Sequence, residues 1–261
     1  MRSALILLAV LGQPAMAELL RLPPLPERHA LSMTFEILPA EPGRKLADDL
    51  HVFEGGRLQI EEANARGASF LRATFIFPLP NGDTRERVVF FAEEGDRARM
   101  IGFHNILRRS GSPTGETIVF NPAPENPMKG RAVNVPSDTY TYLALCTTIG
   151  GAVGEKAPRS AHLWVEGGDP LAVEIVAEGR EELAVLGSRV RSVRLKVKGR
   201  DAKLPEATYW VAEAPPHSFL QYRGPADFLV ASGTVPTVVL RATSSSDQFD
   251  RMFDRFERGP N

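Results

Sequence analysis

Period-two alternation of apolar and polar positions runs through most of the chain. In residues 29–38, Leu31, Met33, Phe35 and Ile37 share one face while Ser32, Thr34 and Glu36 share the other, the pattern of a strand with one wet face. Residues 70–77 (FLRATFIF) are rich in β-branched and aromatic side chains and suit a pleated, half-buried surface. Pro78 and Pro80, with Asn81-Gly82 tolerating positive φ, form a turn, and residues 85–92 (RERVVFFA) return as a partner strand; the pair predicts a β-hairpin. Shorter strands fit 50–53, 57–63, 99–106 and 116–120. After residue 158, strands are predicted over 161–165, 171–177, 192–197, 206–211, 218–222, 227–232 and 235–242, with Gly or Pro between most of them. Many short strands with regular turn signals describe a barrel or a curved antiparallel sheet.

Two segments follow helical spacing instead. Pro136 precedes Ser137, read as an N-cap with Asp138 in the first turn, and Tyr142, Leu145, Cys146 and Ile149 recur on one stripe until Gly150-Gly151. Ser244-Ser245-Ser246-Asp247 opens a C-terminal helix whose stripe is Phe249, Met252, Phe253 and Phe256. That much apolar surface must be buried, on the protein's own sheet or in a groove of a partner. The expected fold is all-β and mainly antiparallel, a curved sheet or half-barrel with a short inner helix and a C-terminal helix. Residues 18–261 form a single β-rich domain in this reading, opened by the proline-rich lead-in 19–28 and carrying a possible seam at 122–127 (PAPENP).

The first seventeen residues stand apart. Arg2 gives a positive start, residues 4–11 (ALILLAVL) are uninterruptedly apolar, and Ala15-Met16-Ala17 matches a small-x-small cleavage site. The apolar run is too short for a membrane span, which needs about 20 residues. Residues 1–17 are therefore expected to be a signal peptide, and removing 17 of the 261 residues leaves 244. The residue directly after the cleavage site is Glu18 rather than a cysteine, and no later segment is long and apolar enough to anchor, so a periplasmic location without a transmembrane anchor is expected.

Composition narrows the function more than it identifies it. With 31 Lys+Arg against 32 Asp+Glu, the net charge of -1 provides no field to attract nucleic acid. The single Cys146 excludes an internal disulfide and a cysteine-based zinc site. It lies in an apolar stretch and reads as a small buried hydrophobe. His29, His51, His104, His162 and His217 show no HExxH spacing, so no metal site is assigned. The G-x-S-x-G elbow, the phosphate loop and the dinucleotide fingerprint are all absent, and the adjacent acidic pairs at 61–62, 93–94 and 181–182 point to opposite faces of their strands. No catalytic residue and no cofactor is assigned, and the reading leans away from an enzyme. Arg194, Lys196 and Lys198 share one face of a strand, either a solvated face or a cationic patch for an anionic head group or an acidic protein.

The order Ser137-Asp138-Thr139-Tyr140-Thr141-Tyr142-Leu143, then residues 186–193 (LGSRVRSV), then Thr208-Tyr209-Trp210-Val211 and Pro215-Pro216-His217 resembles the DUF3108 family of bacterial exported proteins over about residues 29–243. The Tyr209-Trp210 pair departs from an aliphatic-Trp pair. The resemblance implies an exported curved β-sheet or half-barrel without established activity, and it transfers no functional residues. The expected function is a periplasmic binding or carrier protein for a hydrophobic or amphipathic, lipid-like ligand, because curved sheets enclose apolar surface. Phe75, Phe77, Phe90, Phe103, Trp164 and Trp210 are the candidate ligand-binding residues. The alternative is a non-enzymatic envelope assembly protein that uses the C-terminal aromatic helix or the arginine-rich strand.

Overall fold

The computed structural model describes residues 19–20, 28–38, 56–65, 68–78, 83–109, 113–123, 128–153, 158–165, 168–185, 188–200, 204, 206–215, 217–225 and 237–243. The strands are β1 (Arg28–Leu38), β2 (Gly56–Ala65), β3 (Ala68–Pro78), β4 (Thr84–Glu94), β5 (Arg97–Arg108), β6 (Pro113–Phe120), β7 (Arg131–Val133), β8 (Thr139–Tyr140), β9 (Arg159–Leu163), β10 (Leu171–Val185), β11 (Ser188–Gly199), β12 (Ala207–Ala212), β13 (Phe219–Pro225) and β14 (Thr237–Thr243). Among the described residues the α-helix is α1 (Tyr142–Thr148), which runs into a 3₁₀ turn, Ile149–Ala152.

All these strands belong to one 14-stranded sheet in the order β7-β6-β5-β4-β3-β2-β1-β14-β13-β12-β11-β10-β9-β8. Chain neighbours pair as successive antiparallel hairpins on each side, β1 and β14 join the two sides, and only β6–β7 and β8–β9 are parallel. The hairpin expected from 70–77 and 85–92 is β3–β4, in the register Phe75↔Arg87. The β4–β5 hairpin closes through Gly95, whose φ of 68° favours a residue without a Cβ.

Curvature follows from where the two edges of the sheet lie. β7 and β8 are consecutive in the chain yet sit at opposite ends of the strand order. The Tyr140 hydroxyl of β8 donates to the Ala98 carbonyl of β5 (2.8 Å), so one edge curls to the third strand from the other. The result is a curved, mainly antiparallel all-β half-barrel. A wide sheet of this kind leaves an interior to be filled, and α1 fills it. All seven residues of α1 are buried. Tyr209 donates to the Tyr142 carbonyl (2.9 Å), and the Tyr142 and Tyr222 rings lie 6.3 Å apart.

The helix begins later than its sequence pattern suggests. Ser137 is not its cap, and no acidic residue lies in its first turn: Thr141 is the N-cap, accepting from the Ala144 amide through Oγ1 (3.2 Å). Residues 139–140 are taken instead by parallel pairing with His162 and Leu163. The Asp138 carboxylate is buried against His162 Nδ1 (2.8 Å) rather than placed on the helix dipole. At its other end the chain continues past Thr148 as a 3₁₀ turn through Gly150 and Gly151. The strand candidates at 50–53 and 227–232, the C-terminal helix, residues 124–127 of the seam and the signal segment 1–17 lie outside the described residues.

Candidate functional site

Residues directly opposite each other in neighbouring strands share a face, so the register identifies the wall that faces α1. Ala73, Val89, Phe103 and Ile118 form one row across β3–β6. The next row is Phe75, Arg87, Asn105 and Glu116, and the one beyond it is Phe77, Arg85, Leu107 and Thr114. The first row is apolar, and the next two mix apolar Phe75, Phe77 and Leu107 with polar Arg87, Arg85, Asn105, Glu116 and Thr114. The wall also opens sideways: Phe75 is buried, Asn105 is half-buried, and Thr114 and Glu116 on β6 face solvent. Arg131 of β7 pairs with Glu116 at that opening (2.8 Å).

Arg87 is the unusual member of this wall. It is 1% exposed, the bulkiest of the fully buried side chains, and its guanidinium carbon lies 4.8 Å from the Phe103 ring centroid. A guanidinium tolerates an aromatic face better than an ammonium does, because it is planar and weakly hydrated.

The six candidate ligand-binding residues separate into three places. Phe75, Phe77, Phe103 and Trp164 belong to the main core. Phe103 packs on Phe120 (6.1 Å between centroids) and Phe120 on Trp164 (5.4 Å). Phe90 points to the outer face with Phe70, Val88 and Ile101. Trp210 is also on the outer face, with Val185 and Leu220. Arg87, Asn105 and Arg85 were absent from the sequence candidates. The signal available was the alternation Arg85, Arg87, Val89, Phe91, but both faces of 88–91 are apolar, so local pattern does not say which face looks inward.

The basic strand is neutralised by its neighbours. Between Ala177 and Gly179 the β10–β11 register shifts, leaving Glu178 as the extra residue of a β-bulge. Glu178 sits 2.8 Å from Lys198, 3.7 Å from Arg194 and 4.0 Å from Lys196. Hydrogen bonding from Lys198 is the main cause holding its carboxyl below the usual value. Arg194 also meets Glu181 (3.6 Å), and Lys196 pairs with Glu206. The row is a salt-bridged face, not a free cationic patch.

His162 Nδ1 lies 2.8 Å from the buried Asp138 carboxylate, and the neighbouring Ser160 hydroxyl accepts from Arg200 (2.8 Å). Among the described residues no three His, Cys, Asp or Glu side chains are grouped to hold a metal ion. Burial pushes the Cys146 thiol well above its ordinary value, which disfavours the reactive thiolate. No helix among the described residues is long and apolar enough to cross a membrane.

The fold and this wall define a β half-barrel filled by a short helix. No family model matches the chain, and no curated protein matches it. Among solved structures the chain is similar to a β-barrel-like protein of domain of unknown function DUF1849 from Brucella abortus, at 12% identity and a TM-score of 0.42, covering 86% of this chain and 98% of that one. The resemblance to the DUF3108 family thus rests on the sequence features given above.

Proposed function

We propose that the protein is a periplasmic binding or carrier protein for an amphipathic ligand, held on the inner wall of β3–β6. The observation that supports this reading most is the amphipathic character of that wall, with Arg87 buried beside the Phe103 ring and next to rows that mix apolar and polar side chains. The head of such a ligand would meet Arg85 and Asn105, entering beside Thr114 and Glu116 where the wall is open. Its apolar tail would follow Leu107 and Phe77 toward Phe103. Export is carried by the signal-like residues 1–17. The envelope-assembly alternative is weakened at the basic strand, whose charges are already matched.

Replacing Trp210 with Phe leaves Trp164, packed at a tilt against Phe120, as the single tryptophan reporter. Titration of that variant with palmitate and with lysophosphatidylglycerol is expected to give a saturable change in emission. Asn105→Asp, which adds a negative charge to that wall, should weaken binding of either probe about tenfold, a loss of ~1.4 kcal/mol. Absence of a saturable response to both probes, together with no co-purifying small molecule in native mass spectrometry, would refute the carrier reading. Osmotic-shock fractionation tests the compartment separately: retention of the protein in the cytoplasm would remove its periplasmic part.

A further inference from the structure

The sheet carries an apolar patch on the side turned away from α1. Trp210 and Leu220 belong to this patch, while their chain neighbours Val211 and Phe219 belong to the main core. Leu183 and Val190 oppose each other across β10–β11, and Val185 extends the patch toward the tip of that hairpin. Leu220 is only 1% exposed, Val185 4% and Trp210 8%. Neighbours within a single sheet do not shield side chains on its open face to that degree, so a further element lies over them.

We propose that this cover is the protein's own C-terminal segment, residues 244–261, docked through Phe249, Met252, Phe253 and Phe256. β14 ends at Thr243, and its register Arg241↔Gln221 places that end beside Leu220. The chain therefore leaves the sheet about 5 Å from the β13 backbone and about 10 Å from that of β12, which carries Trp210. The direction is also right, because β14 runs toward the end of the sheet where the β10–β11 hairpin projects. A helix over 247–258, stopped by Gly259-Pro260, is about 18 Å long. The patch extends three strands sideways from β13 to β10, about 14 Å. The borders match in charge as well. The segment carries Asp250, Asp254 and Glu257 with Arg251, Arg255 and Arg258, and on its own face the patch is bordered by one charge of each sign, Glu181 and Arg194. In this arrangement the aromatic stripe is occupied in cis and is not offered to an envelope partner.

Trp210 is the reporter. In the full chain carrying Trp164→Phe, its emission is expected to be blue-shifted, shielded from iodide and independent of protein concentration. Adding Phe253→Asp, or deleting 247–261, should red-shift the emission and raise iodide quenching several-fold. Unchanged emission and quenching in both variants would overturn the proposal, as would a shielding that appears only on self-association, which would assign the patch to a second copy. A cysteine pair keeps the test independent of those disruptive changes. In a Cys146→Ser background, Ala212→Cys with Met252→Cys should form an intramolecular disulfide on mild oxidation. Failure of that pair to close in the folded protein would equally overturn the docking.

Discussion

Tyr140→Phe removes one oxygen atom from the place where the half-barrel closes. The hydroxyl donates to the Ala98 carbonyl on β5 (2.8 Å) and accepts from the Leu20 amide (3.1 Å), while the Ala98 amide donates to the Leu20 carbonyl (3.0 Å). Three distant parts of the chain meet at this point, and Leu20 and Tyr140 are both fully buried there. Burial disfavours the phenolate and is the main cause raising the Tyr140 pKa, so the group stays a neutral hydroxyl over any ordinary pH range. Phenylalanine keeps the ring and leaves one buried N–H and one buried C=O without this partner. Each such group costs about 1–3 kcal/mol. Release of residues 19–20 to water would rehydrate both and cap the loss, so the expected destabilisation is about 2–4 kcal/mol. For a domain of this size that corresponds to roughly 4–16 °C in Tm. Urea unfolding followed by tryptophan fluorescence gives the free energy, and hydrogen exchange at the Leu20 and Ala98 amides locates it. A loss under about 0.5 kcal/mol, with protection unchanged at both amides, would refute the view that this hydroxyl holds the closure.

Three further outcomes follow from particular contacts. Burial holds the His104 imidazole below its ordinary pKa of 6.5, with Nδ1 2.6 Å from Thr117 Oγ1. As pH falls below 6.5 the unfolded chain binds more protons than the folded one, so stability falls until the folded pKa is passed and the loss then stays constant. His104→Gln should flatten the fall of the urea midpoint between about pH 7 and 5, and an identical slope would contradict the assignment. Cys146 should be inert to a thiol reagent in the native protein and react fully in denaturant; fast native labelling would show that α1 is not sealed in the interior. Gly102 has φ 151°, and a Cβ there would lie 2.3 Å from the Ile118 carbonyl oxygen. Gly102→Ala is therefore expected to cost about 2 kcal/mol or more, read from the thermal midpoint.

The pattern of the sequence was sufficient for the local part of this fold. Period two specified the strands, and the turn residues between 78 and 83 paired residues 70–77 with 85–92. Helical spacing at Tyr142, Leu145, Cys146 and Ile149 marked the inner helix, because an apolar stripe in a β protein needs a covered place. Its start was misplaced, since Ser137 and Asp138 have the right chemistry for a cap and nothing local reveals that residues 139–140 pair with 162–163. The strands β7 and β8, three and two residues long, carry no pattern at all.

What the chain alone determined is therefore which residues extend, which coil and which face of each strand alternates. Which of two apolar faces turns inward was a tertiary decision. Phe75 and Phe90 look equivalent along the chain, yet the register sets Phe75 against Arg87 inside and Phe90 against Gly102 outside. The same holds for charge. Arg194, Lys196 and Lys198 form a cationic row in sequence, but a one-residue bulge at Glu178 lays a carboxylate over them. Register and bulges depend on contacts between residues far apart in the chain, and those contacts put the buried Arg87 on an aromatic wall where its own strand shows only an alternating arginine.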